Sequence, residues 1–151
     1  MVLMVDDLLD ISRITRDKLE LHRTEVDLIE VINQCVEAAR PYINESAQEL
    51  EVNLCKEPVP VCADPTRLTQ ILSNLLNNAS KFTPRGGKIT IECDVEPAEI
   101  SINVRDNGVG IDAKQLPHIF DMFMQGHQSF ERSQGGLGIG LSLVKRLVEM
   151  H

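Results

Sequence analysis

Apolar residues recur at helical spacing over residues 1–21. Met4, Leu8, Ile11 and Thr15 follow an alternating four–three step, with Asp6, Asp7, Asp10, Arg13 and Arg16 between them. Such a narrow seam is of the coiled-coil kind. It begins at the first residue without an N-cap, so it reads as the tail of a longer helix. Residues 22–26 read as a connector. Asp27 is the expected N-cap of a second helix, with Glu30 three positions on as capping-box partner. Leu28, Ile32, Cys35, Ala39 and Ile43 share one face of it, and Pro41 is expected to kink or close it near its end.

The period then changes. Leu50, Val52 and Leu54 alternate with Glu51, Asn53 and Cys55, the pattern of a half-buried strand. Pro58 and Pro60 bracket a short extended piece that ends at Ala63. Asp64 followed by Pro65 predicts an N-cap and a first helical position. The helix they start runs to about Lys81, with Leu68, Ile71, Leu72, Leu75 and Ala79 toward the core. A turn over residues 83–87 leads into two alternating strands, Ile89, Ile91, Cys93 and Val95 on the first and Ile100, Ile102 and Val104 on the second. Glu96-Pro97-Ala98-Glu99 joins them as a hairpin. Asp106-Asn107-Gly108-Val109-Gly110 breaks the second strand. Residues 125–136 are polar and aperiodic, the pattern of a mobile loop. A last helical pattern from residue 138 places Leu143, Val144, Leu147 and Val148 on one face.

Composition narrows the possible partners. The 151 residues are 42% hydrophobic and 25% charged, a globular composition of one domain or one domain with an appendage, long enough to bury a core. Fifteen Lys and Arg against 23 Asp and Glu give a net charge of −8. That charge disfavours a nucleic-acid backbone and an anionic membrane surface. Aromatics are 3% with no Trp, too few for a base-stacking platform. The apolar runs are too short and too charged for a membrane span, and Asp6 and Asp7 end the apolar start too early for a signal peptide. Cys35, Cys55, Cys62 and Cys93 have neither CxxC spacing nor His partners at metal-site offsets, so they read as buried free thiols of a reducing cytoplasm.

Three patterns carry candidate chemistry. Asn74, Asn78 and Lys81 fall on one stripe of the middle helix. Two carboxamide oxygens one turn apart suit a hard cation such as Mg²⁺, and a Lys one turn further reaches a phosphate. Taken alone, such a stripe is more often a solvated helix face than a ligand site. Asp106 ends a strand beside Gly108 and Gly110; a carboxylate there can accept from an exocyclic amine, while the bland alternative is a surface turn. Gly135-Gly136-Leu137-Gly138-Ile139-Gly140 opens a helix, where free N–H groups suit a phosphate. That run follows no strand and lacks a Gly-Lys-Ser/Thr ending, so it is neither a dinucleotide-fold fingerprint nor a P-loop.

Their order resembles the catalytic, ATP-binding domain of sensor histidine kinases, within the wider superfamily of gyrase, heat-shock-chaperone, kinase and mismatch-repair ATPases. "LTQILSNLLNNASKFTP" is similar to that family's N box, "DNGVGI" to its first glycine box, "IFDMFMQ" to its F box and "GGLGIGLSLVKRLVEMH" to its second glycine box and following helix. "VDDLLDISRITRDKLEL" resembles the end of the dimerisation and histidine-phosphotransfer helix, and the F-box and second glycine-box wording is similar to that of bacterial hybrid sensor kinases. The implied organisation is residues 1–22 from the dimerisation helix and 23–151 as the ATP-binding domain, and the implied fold is an α+β two-layer sandwich, a mixed, mainly antiparallel sheet with helices on one face.

The resemblance implies roles residue by residue. Asn74 and Asn78 would hold Mg²⁺ on ATP, and Lys81 would contact a phosphate. Phe82 would line the base or ribose, and Asp106 would accept from the adenine amine. Gly108, Gly110 and Ile111 would shape the adenine pocket. Phe120 and Phe123 would be the F-box aromatics, and residues 124–135 a lid. Gly136, Leu137, Gly138, Ile139, Gly140 and Leu141 would wrap the triphosphate. Superfamily members that hydrolyse ATP carry a Glu where Asn74 stands, and an amide is no general base at neutral pH. Transfer to a protein His therefore fits better than hydrolysis.

In that family the acceptor is a His on the first dimerisation helix, and the phosphoryl group passes on to a receiver-domain Asp of a response regulator. None of His22, His118, His127 and His151 has the acceptor context. The implied partners are a His-bearing dimerisation domain, a response regulator and, in the full-length protein, a second copy. The implied location is the cytoplasm, with a parent protein that can be membrane-anchored. The family's last strand pair has no counterpart after residue 151, so an open sheet edge is expected. The rival readings are an ATP-hydrolysing conformational switch and a non-catalytic nucleotide-binding or dimerisation module.

Overall fold

The structure, a computed structural model, describes residues 5, 8–10, 12–13, 19–122 and 138–151. They fall into two compact units, Arg23–Gly110 and Met1–His22 with Ile111–His151.

The first unit holds β1 (Thr24–Asp27), α1 (Leu28–Glu45), β2 (Glu49–Asn53), β3 (Pro60–Ala63), α2 (Pro65–Phe82), β4 (Lys88–Val95) and β5 (Ile100–Asp106). β4 is central in a three-stranded sheet, parallel to β2 and antiparallel to β5. Parallel neighbours need a long crossover, and here it contains β3 and α2. β1 and β3 form a separate antiparallel ribbon. Residues 22–26, read as a connector, thus contain most of a strand. Val26 is the only apolar residue of β1, too little for a period to show, and its pairing lies more than thirty positions away with Thr24 opposite Ala63.

Period-two alternation sends Ile89, Ile91 and Cys93 of β4 to one face. That face meets Ile32, Val36 and Ile43 of α1 and Leu72, Leu76 and Ala79 of α2 in one buried cluster. The helices therefore cover one face of the sheet, as the α+β reading requires. Leu76 is fully buried, whereas the expected Leu75 is half-buried at the margin of the stripe.

The local signals act as chemistry dictates. Asp64 Oδ1 accepts from Thr66 N (3.0 Å) and Arg67 N (3.2 Å), and Pro65 occupies the first turn. Asp27 caps α1 through Ile29 N at 3.0 Å and also accepts from Val59 N at 3.0 Å. Glu30 takes Gln34 Nε2 at 3.4 Å instead of closing a capping box. α1 passes through Pro41 and ends four residues later. The end is a Schellman arrangement, Ala47 N to Asn44 O (2.8 Å) and Gln48 N to Ile43 O (3.1 Å). Ala47 occupies its left-handed position with φ of 49°. The β4–β5 hairpin closes where expected, through Glu96 N to Glu99 O at 2.8 Å.

In the second unit, residues 5, 8–10 and 12–13 are helical; Met4, Ile11 and Thr15 of the expected seam lie outside the described residues. A 3₁₀ turn spans Leu116–His118 and α3 spans Gly140–Met150. Leu143, Val144 and Leu147 of α3 are buried, but Val148 is 55% exposed. The apolar stripe centres on Leu143 and Leu147, and Val148 sits at its flank. Among the four cysteines only Cys35 and Cys93 are buried; Cys55 is half-buried and Cys62 is exposed on β3. β3 belongs to a two-stranded ribbon and has no second layer over both faces, which corrects the reading of four buried thiols.

Candidate functional site

Asn74, Asn78 and Lys81 lie half-buried along α2. Among the described residues neither carboxamide is engaged in a hydrogen bond, so their oxygens remain available to a hard cation. Lys81 Nζ stands 5.3 Å from the ring centroid of Phe82, within cation–π range. Phe82 is 40% exposed.

Asp106 is the last residue of β5, opposite Ile89 of β4. Its Oδ1 accepts from Gly108 N at 2.9 Å, an Asx turn. The other carboxylate oxygen is left as an acceptor on an exposed side chain. Asn107 closes the hairpin end, donating its N–H to Lys88 O (3.1 Å) and accepting Lys88 N on Oδ1 (2.7 Å). Val109 N donates to Phe82 O at 3.1 Å. A Cβ on Gly108 would lie 2.2 Å from the same carbonyl oxygen, so only glycine permits this approach. Gly110 has φ of 73°, and a Cβ there would meet nothing within 4 Å; it borders open space. The glycine turn is thus seated on the C-terminal backbone of α2, which brings Asp106, Gly108 and Gly110 to the helix that carries Asn74, Asn78, Lys81 and Phe82.

Sequence reasoning missed Gln48. It is buried at 7% exposure and hydrogen-bonds to Ser80 and Thr83 at the end of α2. Its loop position shows no period. The one available signal was Pro84, which deprives Ser80 O of its helical donor.

In the second unit, Ile111 and Phe120 are exposed, and Lys145 Nζ lies 5.8 Å from the Phe120 ring centroid. Gly138 has φ of 70°. Ile139 is the N-cap of α3 and Gly140 its first residue, with Leu141 half-buried. Among the described residues no side chain caps this N-terminus; Ser142 Oγ donates to Ile139 O at 2.7 Å instead. Uncapped first-turn N–H groups are donors of the kind phosphates take. Phe123, Gly136, Leu137 and the expected lid, residues 124–135, lie outside the described residues, as does His127. His118 Nδ1 pairs with Asp121 Oδ2 at 2.8 Å and His151 Nδ1 with Leu147 O at 2.7 Å.

The donor set fits a magnesium nucleotide: amide oxygens without partners among the described residues, a Lys, a carboxylate oxygen left as acceptor and a glycine that opens space beside it. The profile of the family described as "Histidine kinase-, DNA gyrase B-, and HSP90-like ATPase" matches residues 63–151. The chain belongs to this family. The autoinducer 2 sensor kinase/phosphatase LuxQ of Vibrio cholerae is 40% identical over 152 residues, 97% of this chain and 18% of LuxQ. The mycobacterial sensor histidine kinase MprB superposes with a TM-score of 0.74 at 31% identity, over 85% of this chain and 81% of that one. Full-length ShkA in complex with AMPPNP gives a TM-score of 0.82 at 30% identity, over 97% of this chain and 30% of ShkA. The chain therefore matches histidine-kinase catalytic domains in fold, as its motif order implied, while it spans about a fifth of the length of the curated relative LuxQ. No helix among the described residues is long and apolar enough to cross a membrane.

Proposed function

We propose that this chain binds Mg²⁺·ATP and serves as the catalytic domain of a two-component sensor kinase, donating the γ-phosphoryl group to a His on a separate dimerisation domain. In this reading residues 1–22 are the end of that dimerisation helix and 23–151 the ATP-binding domain. The observation that carries it is the seating of the Asp106 turn on α2, through Val109 N to Phe82 O at 3.1 Å. That contact joins the adenine-type acceptor to the helix with the amide ligands. The AMPPNP in the ShkA neighbour supports the same ligand class.

Asp106 would accept from the adenine amine, Phe82 would lie along the base or ribose, and Gly108, Gly110 and Ile111 would shape the pocket. Asn74 and Asn78 would hold Mg²⁺, which when bound supplies charge neutralisation on the phosphates. Lys81 would add a second positive charge. Gly138, Ile139, Gly140 and Leu141 would offer backbone N–H groups to phosphate oxygens, with Gly136 and Leu137 extending that set and Phe120 and Phe123 as F-box aromatics. The protein's contribution is positioning and electrostatics. Asn74 cannot abstract a proton from water at neutral pH, so the γ-phosphoryl group passes to an imidazole nitrogen and ADP is released. A receiver-domain Asp of a response regulator, a second copy of the full-length protein and a cytoplasmic setting complete the proposal.

The test supplies a His-bearing dimerisation domain of a related kinase with this chain and γ-labelled ATP. Acid-labile label on the added domain supports the kinase reading. Release of free phosphate alone supports a hydrolysing switch, and binding without either supports a non-catalytic module.

A further inference from the structure

The C-terminal turn of α2 has a backbone problem that the helix cannot solve itself. Ser80 O would receive the N–H of the residue four positions on, but that residue is Pro84, which has none. Thr83 O, at the C-cap, has left the helix too. Both carbonyls are taken by one side chain from another part of the chain. Gln48 Nε2 donates to Ser80 O at 2.8 Å and to Thr83 O at 2.6 Å, while Gln48 Oε1 accepts from Ser80 Oγ at 2.7 Å. Carbonyls only accept, so the amide's orientation is fixed by its partners. Gln48 itself is held by its N–H to Ile43 O at 3.1 Å, in the turn that ends α1.

Phe82 lies between the two residues that Gln48 grips. Its carbonyl is the acceptor for Val109 N, and its backbone is the surface against which Gly108 packs. The place where the Asp106 turn docks is therefore set by a clamp on either side of it. We propose that Gln48 is a positioning residue for nucleotide binding: it substitutes for the N–H that Pro84 lacks and so holds Phe82 O where the Asp106–Gly110 turn must seat. This rests on the nucleotide-binding reading above, but its structural half is open to a measurement without nucleotide.

Two readouts are taken on Gln48→Met, which keeps the length and removes both donors, and on Gln48→Lys, whose ammonium can still donate to both carbonyls. One is the affinity for Mg²⁺·ATP, measured where each variant is folded. The other is amide hydrogen exchange of Val109 relative to Ile91, a core position of β4. Loss of three buried hydrogen bonds, two of them donated by Gln48, is expected to weaken affinity about tenfold in Q48M and to speed Val109 exchange by a similar factor, while Ile91 is unchanged. Q48K is expected to restore both to within about threefold. Should Q48M fail to fold, Gln48→Leu, close in size and without donors, takes its place. Unchanged affinity and exchange in the donor-free variant overturns the proposal, and so does equal impairment of Q48K, which would mean packing alone. Wild-type protein that binds no Mg²⁺·ATP but whose Val109 exchange still depends on Gln48 supports the clamp and counts against the functional reading instead.

Discussion

Val109 donates its amide N–H to the carbonyl of Phe82 across 3.1 Å. The donor belongs to a glycine turn at the end of β5 and the acceptor to the last residue of α2. A helix C-terminus leaves carbonyls without partners; here one of them becomes the docking point for the turn that presents Asp106. The consequence is that the carboxylate and the amide stripe of α2 share one rigid backbone reference.

Gly108→Ala tests that docking. The added Cβ would lie 2.2 Å from Phe82 O and 2.8 Å from Phe82 C, both backbone atoms. The turn has to lift off α2, so a loss of about 1–3 kcal/mol in stability is expected, together with loss of Mg²⁺·ATP affinity. Gly110→Ala meets no atom within 4 Å and pays only for φ of 73°, about 1–2 kcal/mol. Denaturant melts of both variants check these losses, and titration with Mg²⁺·ATP checks the affinity of G108A. Equal affinity in G108A and wild type would contradict it.

Asn78→Ala tests the metal assignment. In the wild type, removing Mg²⁺ with EDTA is expected to weaken ATP binding about tenfold, because the amide oxygen and the metal act together. In N78A the same removal should change little, since the increment is already lost. A full Mg²⁺ dependence in N78A would exclude Asn78 as a ligand.

Ala47 holds a left-handed conformation, φ 49°, at the position where a helix end favours glycine. Ala47→Gly relieves that strain against a larger loss of chain entropy. The net expectation is a gain of about 0.5–1 kcal/mol, or about 2–4 °C in Tm, with nucleotide affinity unchanged. A lower Tm would show that the turn is held by other means.

The thiols give a prediction about burial. Desolvation pushes the Cys35 and Cys93 thiols up from their ordinary value, which lowers the thiolate fraction that reacts. Alkylation at pH 8 with peptide mapping should therefore label exposed Cys62 first and half-buried Cys55 more slowly. Cys35 and Cys93 should react only when the domain is unfolded. Early labelling of Cys93 would contradict the packing of β4.

What could be read from the sequence was what local chemistry decides. Asp64-Pro65 announces a helix start, and Ile89, Ile91 and Cys93 announce a strand face, because cap and period act over a few residues. The strand over Thr24–Asp27 was hidden, since one valine makes no period and its ribbon partner is distant. Leu75 and Leu76 could not be ranked because both border the same stripe, and only tertiary packing in the shared core cluster buries Leu76. The candidate site was visible as separate motifs. What joined two of them, Phe82 O to Val109 N, is a backbone contact to which side-chain identity contributes only the glycine beside it. Gln48 carried no motif at all, and its role follows from a proline thirty-six positions later.

The most direct measurement is calorimetric titration of Mg²⁺·ATP into this chain and into Asp106→Asn. Asn keeps an oxygen for Gly108 N, so the turn survives, but it can place a donor where the adenine amine also donates. Saturable binding by the wild type, weakened at least about tenfold in D106N for loss of a charge-assisted hydrogen bond, is the expected result. Equal binding by both proteins would contradict Asp106 as the adenine acceptor, and no binding by a cooperatively melting wild type would contradict the nucleotide site itself.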